Sequence, residues 1–142
     1  MSNRLGRSKR ILFDKELEET ANAENLKYLQ RYRIDMELRE LSAKSIYGYE
    51  RDLLNWFSYL NKNQFNLSVL VGTEDDIEEF VYFCKTQGNN AGRLGRRISS
   101  ISAFYKFMRR KKFIKEDPTE FIARPKKGLP VVKKTFLTKE QV

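Results

Sequence analysis

AGRLGRRISSISAFYKFMRRKK, residues 91–112, is the stretch whose reading decides the fold. Leu94, Ile98, Ile101, Tyr105 and Met108 recur three or four residues apart, with Phe104 flanking them. That is the period of an amphipathic α-helix with one apolar stripe. Cations are threaded through the same stretch. From Arg93 to Lys115 there are nine Lys or Arg residues and no Asp or Glu. Charge at helical spacing belongs to a folded surface, and solvated helix faces ordinarily mix signs. A single-sign face fits a phosphate backbone as partner.

Outward from this helix the same period recurs. A helix over about 22–39 is expected from Leu26, Leu29, Tyr32 and Met36, with Arg33 the polar exception on the stripe. Ser42 is placed to cap a second helix, 43–62, with Ile46, Tyr49, Leu53, Phe57 and Leu60 inward. Its opposite face carries Lys44, Tyr47, Gly48, Arg51, Asn55 and Ser58. A loop over 63–72 ends in Gly72, and Thr73 with Asp76 forms a capping-box signal for a third helix. Ile77, Phe80, Val81 and Cys84 face inward from it. Its five early acids (Glu74, Asp75, Asp76, Glu78, Glu79) suit the helix dipole better than a metal site. Gly88-Asn89-Asn90 breaks the chain before residue 91, and Phe113 and Ile114 are expected to fold back onto the core. Asp117-Pro118 signals a short fifth helix carrying Phe121 and Ile122. Strand patterns are scarce, so the fold class is all-α. Trp56, Tyr59, Phe80, Phe83, Phe104 and Phe107 lie at helical spacing and are read as packing residues rather than base-stacking platforms.

Composition narrows the function. The formal net charge is +9, but residues 93–134 hold 14 basic and 3 acidic side chains, while the remainder holds 14 and 16. A patch is a better sign of a polyanion partner than uniform basicity. There is no histidine, which removes Ser-His-Asp and Cys-His catalysis, and with one cysteine a zinc site is not expected. Neither a P-loop nor a dinucleotide fingerprint is present. Cys84 alone allows no intrachain disulfide, and no signal-peptide run or membrane-length apolar stretch is seen. A cytoplasmic setting, no cofactor and no membrane partner are therefore expected.

Four motifs in order carry a family resemblance. Leu41-Ser42 through Tyr47-Gly48-Tyr49 to Arg51-Asp52-Leu53 resembles the opening of the second helix in tyrosine recombinases, the phage integrases and Xer-type enzymes. Arg96-Arg97-Ile98-Ser99-Ser100-Ile101 to Phe104-Tyr105 resembles their fourth helix. Asp117-Pro118 with Pro125-Lys126 is similar to the family's exit from this domain, and Leu129-Pro130 with Phe136 to Val142 to the linker and first residues of the catalytic domain. The resemblance implies a SAM-like bundle of four to five helices, the core-binding half of a clamp on a DNA half-site. Its second and fourth helices would face the major groove. It divides the chain into an N-terminal arm (1–21), a core-binding domain (22–123) and a linker leading to a catalytic domain (124–142). The family's catalytic arginines, lysine, histidine motifs and tyrosine nucleophile belong to that further domain. None of the seven tyrosines here is therefore expected to be catalytic, and the chain is not expected to be an enzyme by itself. Whether it is part of a longer recombinase or a truncated product stays open. Partners implied are double-stranded DNA and other recombinase protomers assembled on it.

The candidate DNA contacts fall into groups. Arg93, Arg96, Arg97 and Ser100 share one face of the 91–112 helix. Arginines there oppose the helix dipole by roughly 0.3–1 kcal/mol each, a cost that phosphate would reverse. Lys44, Tyr47, Arg51 and Asn55 share the outer face of the 43–62 helix, where Asn can read adenine and cations can hold phosphate. The plainer reading pairs Arg51 with Glu50 or Asp52. Lys106, Arg109, Arg110, Lys111 and Lys112 lie late in their helix, where cations are favourable in themselves. Lys106 is retained among them as a phosphate contact. Arg124, Lys126 and Lys127 are expected to touch phosphate from the linker, and Arg4, Arg7, Lys9 and Arg10 make the first twelve residues basic. Two rival functions remain: a free-standing helical DNA-binding regulator, and a protein-interaction domain whose basic face meets an acidic protein.

Overall fold

The computed structural model of the chain describes residues 19–125. The expected basic arm, Lys126, Lys127 and the stretch from Phe136 to Val142 lie outside the described residues. Four α-helices follow one another: α1 Ala23–Leu38, α2 Ala43–Asn63, α3 Glu74–Thr86 and α4 Ala91–Arg110, with a 3-10 turn at Val69–Val71 between α2 and α3. There is no strand among the described residues.

Each helix begins where a side chain can satisfy its free N–H groups. Asn22 accepts from the Glu24 and Asn25 amides, Ser42 from Ser45, and Asn90 from Arg93. Thr73 and Asp76 complete a reciprocal capping box. The ends are equally local. Glu40 (φ 62°) and Lys112 (φ 66°) adopt left-handed turns, with the next amides donating to Met36 and Met108 carbonyls. Gly88 takes φ 98° after α3, a conformation that favours glycine.

α2 is the central element: α1 packs on it from one side and α4 from another, while α3 packs on α4. Leu29, Tyr32 and Met36 of α1, Leu53, Trp56, Phe57 and Leu60 of α2, and Ile101, Phe104, Tyr105 and Met108 of α4 form one apolar cluster. Its centre is aromatic, with edge-on pairs Tyr32–Phe104 at 5.6 Å, Phe57–Phe104 at 5.8 Å and Trp56–Tyr105 at 5.5 Å between ring centroids. Phe113 and Ile114 do fold back against it, as does Ile122. Of the expected packing aromatics, Phe83 stays 38% exposed.

The 64–72 connection is pinned by polar bonds. Asn25, fully buried in α1, donates to the Leu67 carbonyl at 3.0 Å and accepts from the Val69 amide at 2.9 Å. The Tyr105 hydroxyl donates to the Val69 carbonyl at 2.8 Å. A Cβ at Gly72 would stand 2.9 Å from that hydroxyl, which is why the loop ends in glycine.

One expected element is absent. Residues 117–121 form turns instead of a fifth helix. Asp117 Oδ1 accepts from the Thr119 amide at 2.8 Å and hydroxyl at 2.6 Å, and that hydroxyl also reaches Ser102 on α4 at 3.2 Å. Asp117 and Thr119 are both buried. Six residues before Pro125 offer too few backbone bonds to repay helix nucleation, so the polar anchor to α4 wins. Phe121 is left 80% exposed.

The far end of α4 is tied to α1 through Asp35, which accepts from Arg39 Nε at 3.0 Å and Arg110 Nη2 at 3.0 Å. Burial acts to raise this carboxyl, but the two guanidinium hydrogen bonds outweigh it and hold it below the ordinary carboxylate range. A carboxyl depressed in the folded state stabilises the fold above its unfolded value and loses that contribution as pH falls through the folded one. Asp35→Asn is therefore expected to be less stable than the parent at neutral pH. The gap should close as pH falls from about 4 to about 2. Urea melts at the two ends of that range check it; an unchanged gap would mean that the charge on Asp35 does not matter.

Candidate nucleic-acid interface

The 3.6-residue period places Lys44, Tyr47, Gly48, Arg51 and Asn55 along one side of α2. Lys44 and Arg51 are exposed, and Tyr47 and Asn55 half-buried. Arg51 Nη1 donates to the Tyr47 hydroxyl at 2.9 Å, and Asn55 Nδ2 to the Arg51 carbonyl at 2.9 Å. The guanidinium is thus laid along the helix, one turn from its own backbone, on an exposed residue. Nothing lies within 4 Å of where a Cβ on Gly48 would stand, so the backbone there is open to approach.

Arg51 pairs with neither neighbouring acid. Glu50 and Asp52 are buried, 1% and 5% exposed. Glu50 Oε2 faces Arg33 Nε of α1 at 3.5 Å. Asp52 faces α4, where Oδ2 accepts from Ser100 Oγ at 2.6 Å and from Arg96 Nε at 3.4 Å, and Oδ1 from Arg96 Nη2 at 3.5 Å. The Arg96 side chain is itself 60% exposed. One end of its guanidinium is therefore held by a buried carboxylate while the other stands in solvent. This bridge joins α2 to α4 beneath one exposed arginine.

The other expected residues divide clearly. Arg93, three residues before Arg96 on the same side of α4, is exposed and makes no ion pair or side-chain hydrogen bond among the described residues, though its charge is felt at Cys84 of α3. Lys44 is exposed and likewise makes no ion pair or side-chain hydrogen bond among the described residues. Arg97 is half-buried, with Nε on Asn89 Oδ1 at 2.9 Å and Nη1 enclosed without a partner. Arg124 returns to α4, where Nη1 donates to the Gly95 carbonyl at 3.2 Å and Ser99 Oγ at 2.8 Å, adding an exposed cation beside Arg96.

Two expectations are corrected. Ser100, expected on the outer face with the three arginines, is 2% exposed and lies behind Arg96 with its hydroxyl on Asp52. Ser58, expected on the polar face of α2, is buried and accepts from the Thr20 hydroxyl at 2.9 Å. Lys106 is not brought to this group. It sits on Ser102 at 2.9 Å and Asp117 at 3.6 Å, holding the 117–119 turn. Arg110 is likewise committed to Asp35.

Sequence reasoning missed Asp52, although a signal existed. Glu50 lies four residues after Ile46 and three before Leu53, on the apolar register, and Asp52 lies four before Trp56. An acid at core register is informative because burying it alone is costly, so a partner must exist. Among the described residues no group of three or more His, Cys, Asp or Glu could hold a metal ion, and no helix is long and apolar enough to cross a membrane.

Comparison with known proteins points to one family. The description "Phage integrase, N-terminal SAM-like domain" matches residues 27–112, which contain all four helices but the first turn of α1. Tyrosine recombinase XerD of Oceanobacillus iheyensis is 34% identical over 89 residues, 63% of this chain and 30% of that protein. Tyrosine recombinase XerD of Rickettsia bellii is 39% identical over 70 residues, 49% of this chain and 22% of that protein. Tyrosine recombinase XerD of Listeria monocytogenes serotype 4b is 32% identical over 96 residues, 66% of this chain and 32% of that protein. The chain thus spans about a third or less of the length of these curated relatives. No solved structure matches it.

Proposed function

This chain belongs to the family of phage integrase N-terminal SAM-like domains, and on that premise we propose that it binds duplex DNA at a recombination half-site, as the core-binding part of a tyrosine recombinase. The observation that carries the reading is the Arg96–Asp52–Ser100 bridge between α2 and α4. It holds Arg96 of α4 against α2, which carries the exposed Lys44 and Arg51, while the exposed Arg93 lies on α4 and the exposed Arg124 bonds back to it. Exposed cations on two adjacent helices suit phosphate backbone, with Asn55 and the Arg51 guanidinium able to meet base edges. Arg97 supports the N-terminal end of α4 by its bond to Asn89. Strand exchange would need residues beyond the matched 27–112, and recombinase protomers would meet this chain once assembled on DNA.

The test is fluorescence anisotropy with a half-site duplex, a shuffled duplex and polyglutamate at low salt. Half-site preference supports the proposal. Equal affinity for both duplexes removes the half-site claim, and stronger binding of polyglutamate would favour a protein-interaction domain. Arg93→Ala is the cleanest single variant. It should lower the salt slope of binding by about one and move stability by less than about 0.5 kcal/mol, since Arg93 makes no ion pair or side-chain hydrogen bond among the described residues. A loss of stability with the slope unchanged would contradict this placement.

A further inference from the structure

On the side of the molecule formed by α3, aromatic rings and acids line an open groove of about 580 Å³. Tyr59, Tyr82 and Phe83 supply the rings, and Asp75, Glu78 and Glu79 the rim. Tyr59 and Phe83 pack at 5.1 Å between centroids, while Tyr82 is 68% exposed. The helix dipole accounts for Glu74, Asp75 and Asp76 in the first turn but falls off before Glu78 and Glu79, and it gives no reason for exposed rings beside them. None of these acids has an ion-pair partner among the described residues. The groove therefore suits a segment that is cationic and apolar together.

The chain carries such a segment. Residues 4–13 hold Arg4, Arg7, Lys9 and Arg10 with Leu5, Ile11, Leu12 and Phe13, and no acid. The described chain also enters beside the groove. Thr20 bonds to Ser58, the residue before Tyr59, and Asn22 Nδ2 donates to the Asn66 carbonyl at 3.2 Å. Two residues away from Asn66, Gln64 bonds to both the Tyr59 hydroxyl and Glu79, which line the groove. Six Cα–Cα steps separate Phe13 from Glu19. Extended, they reach about 20 Å, enough to cross one helix diameter and return.

We propose that the aromatic, acid-rimmed groove of α3 holds the chain's own basic segment, residues 4–13, with arginines against Asp75, Glu78 and the Tyr82 ring and the apolar residues against Tyr59 and Phe83. Tethering favours this occupant, because a linked segment meets its site at an effective concentration in the millimolar range. Cation–π contact on an exposed tyrosine adds to the charge pairing. The docked segment would keep four cations away from the α2–α4 face.

The test uses the full chain with Cys84→Ala and a nitroxide on Ser8→Cys. In ¹⁵N-labelled protein at about 50 mM salt, amides of residues 75–83 should lose roughly half their intensity or more, and recover at about 0.5 M salt, where charges are screened. The loss should also disappear in Asp75→Lys/Glu78→Lys. Undiminished amides at low salt would overturn the proposal. Loss that survives the double substitution would do the same. So would equal loss on mixing unlabelled nitroxide-bearing chain with ¹⁵N chain lacking the nitroxide, because that would assign the groove to a second copy.

Discussion

Raising the salt from about 50 to about 200 mM should weaken binding of a duplex by about 10²–10⁴-fold. The figure comes from counting cations free to neutralise phosphate. Lys44, Arg51, Arg93, Arg96 and Arg124 are exposed on or beside α2 and α4, and Lys126 and Lys127 continue the sequence from Arg124. Four to seven of them in contact would give log–log slopes of roughly −3.6 to −6.3 at about −0.9 per phosphate. Two cations in the second half of α4 are expected to stay out of the count, because each faces an acid there. Arg110 is 3.0 Å from Asp35 and Lys106 is 3.6 Å from Asp117. Arg110→Ala should therefore lower stability and leave the slope unchanged, the reverse of Arg93→Ala. Anisotropy titrations at four or five salt concentrations measure both. A flat titration would remove DNA as the partner, and a slope that drops for Arg110→Ala would enlarge the interface to the far end of α4.

Asn25→Leu should cost about 2–6 kcal/mol, and the melting temperature should fall by more than about 10 °C. Leucine fills a similar volume, so packing loss is not the cause. The cost arises because Asn25 is fully buried and serves two groups of the 64–72 connection at once, the Leu67 carbonyl and the Val69 amide. Each buried group left without a partner costs about 1–3 kcal/mol. The same connection is held from the other side by the Tyr105 hydroxyl. Tyr105→Phe should lower stability by less, since one of the two lone pairs on the Val69 carbonyl is all it strands. Thermal melts by circular dichroism decide the matter. A change below about 3 °C for Asn25→Leu would mean that the loop finds water when the amide is gone.

Helix positions were legible because they depend on near neighbours. The stripe from Leu94 to Met108 and the caps at Ser42 and Thr73 involve contacts three or four residues apart, and all appear as expected. The fifth helix failed for a related reason. Asp117-Pro118 is a genuine start signal, but it opens only a turn, because Thr119 finds Ser102 on α4 before backbone bonds can accumulate. The outer face of α2 was half legible. Lys44 and Arg51 are exposed where a helical wheel puts them, whereas Ser58, on the same wheel, is covered by Thr20 from the chain entering α1.

By itself the sequence determined that the chain is all-α, where its helices begin, and that one region carries unbalanced positive charge. These properties follow from propensity, capping and composition, which are local or additive. Tertiary structure alone decided which polar groups are inside. Asp52 meets Arg96 across 44 residues, Asn25 meets Val69 across another 44, and Ser100 turns from a surface candidate into the support beneath Arg96. A helical wheel gives the direction of a side chain but not what stands opposite it. Within the acid-free run of α4, a buried acid from α2 holds one arginine in place, and nothing in the run itself says which.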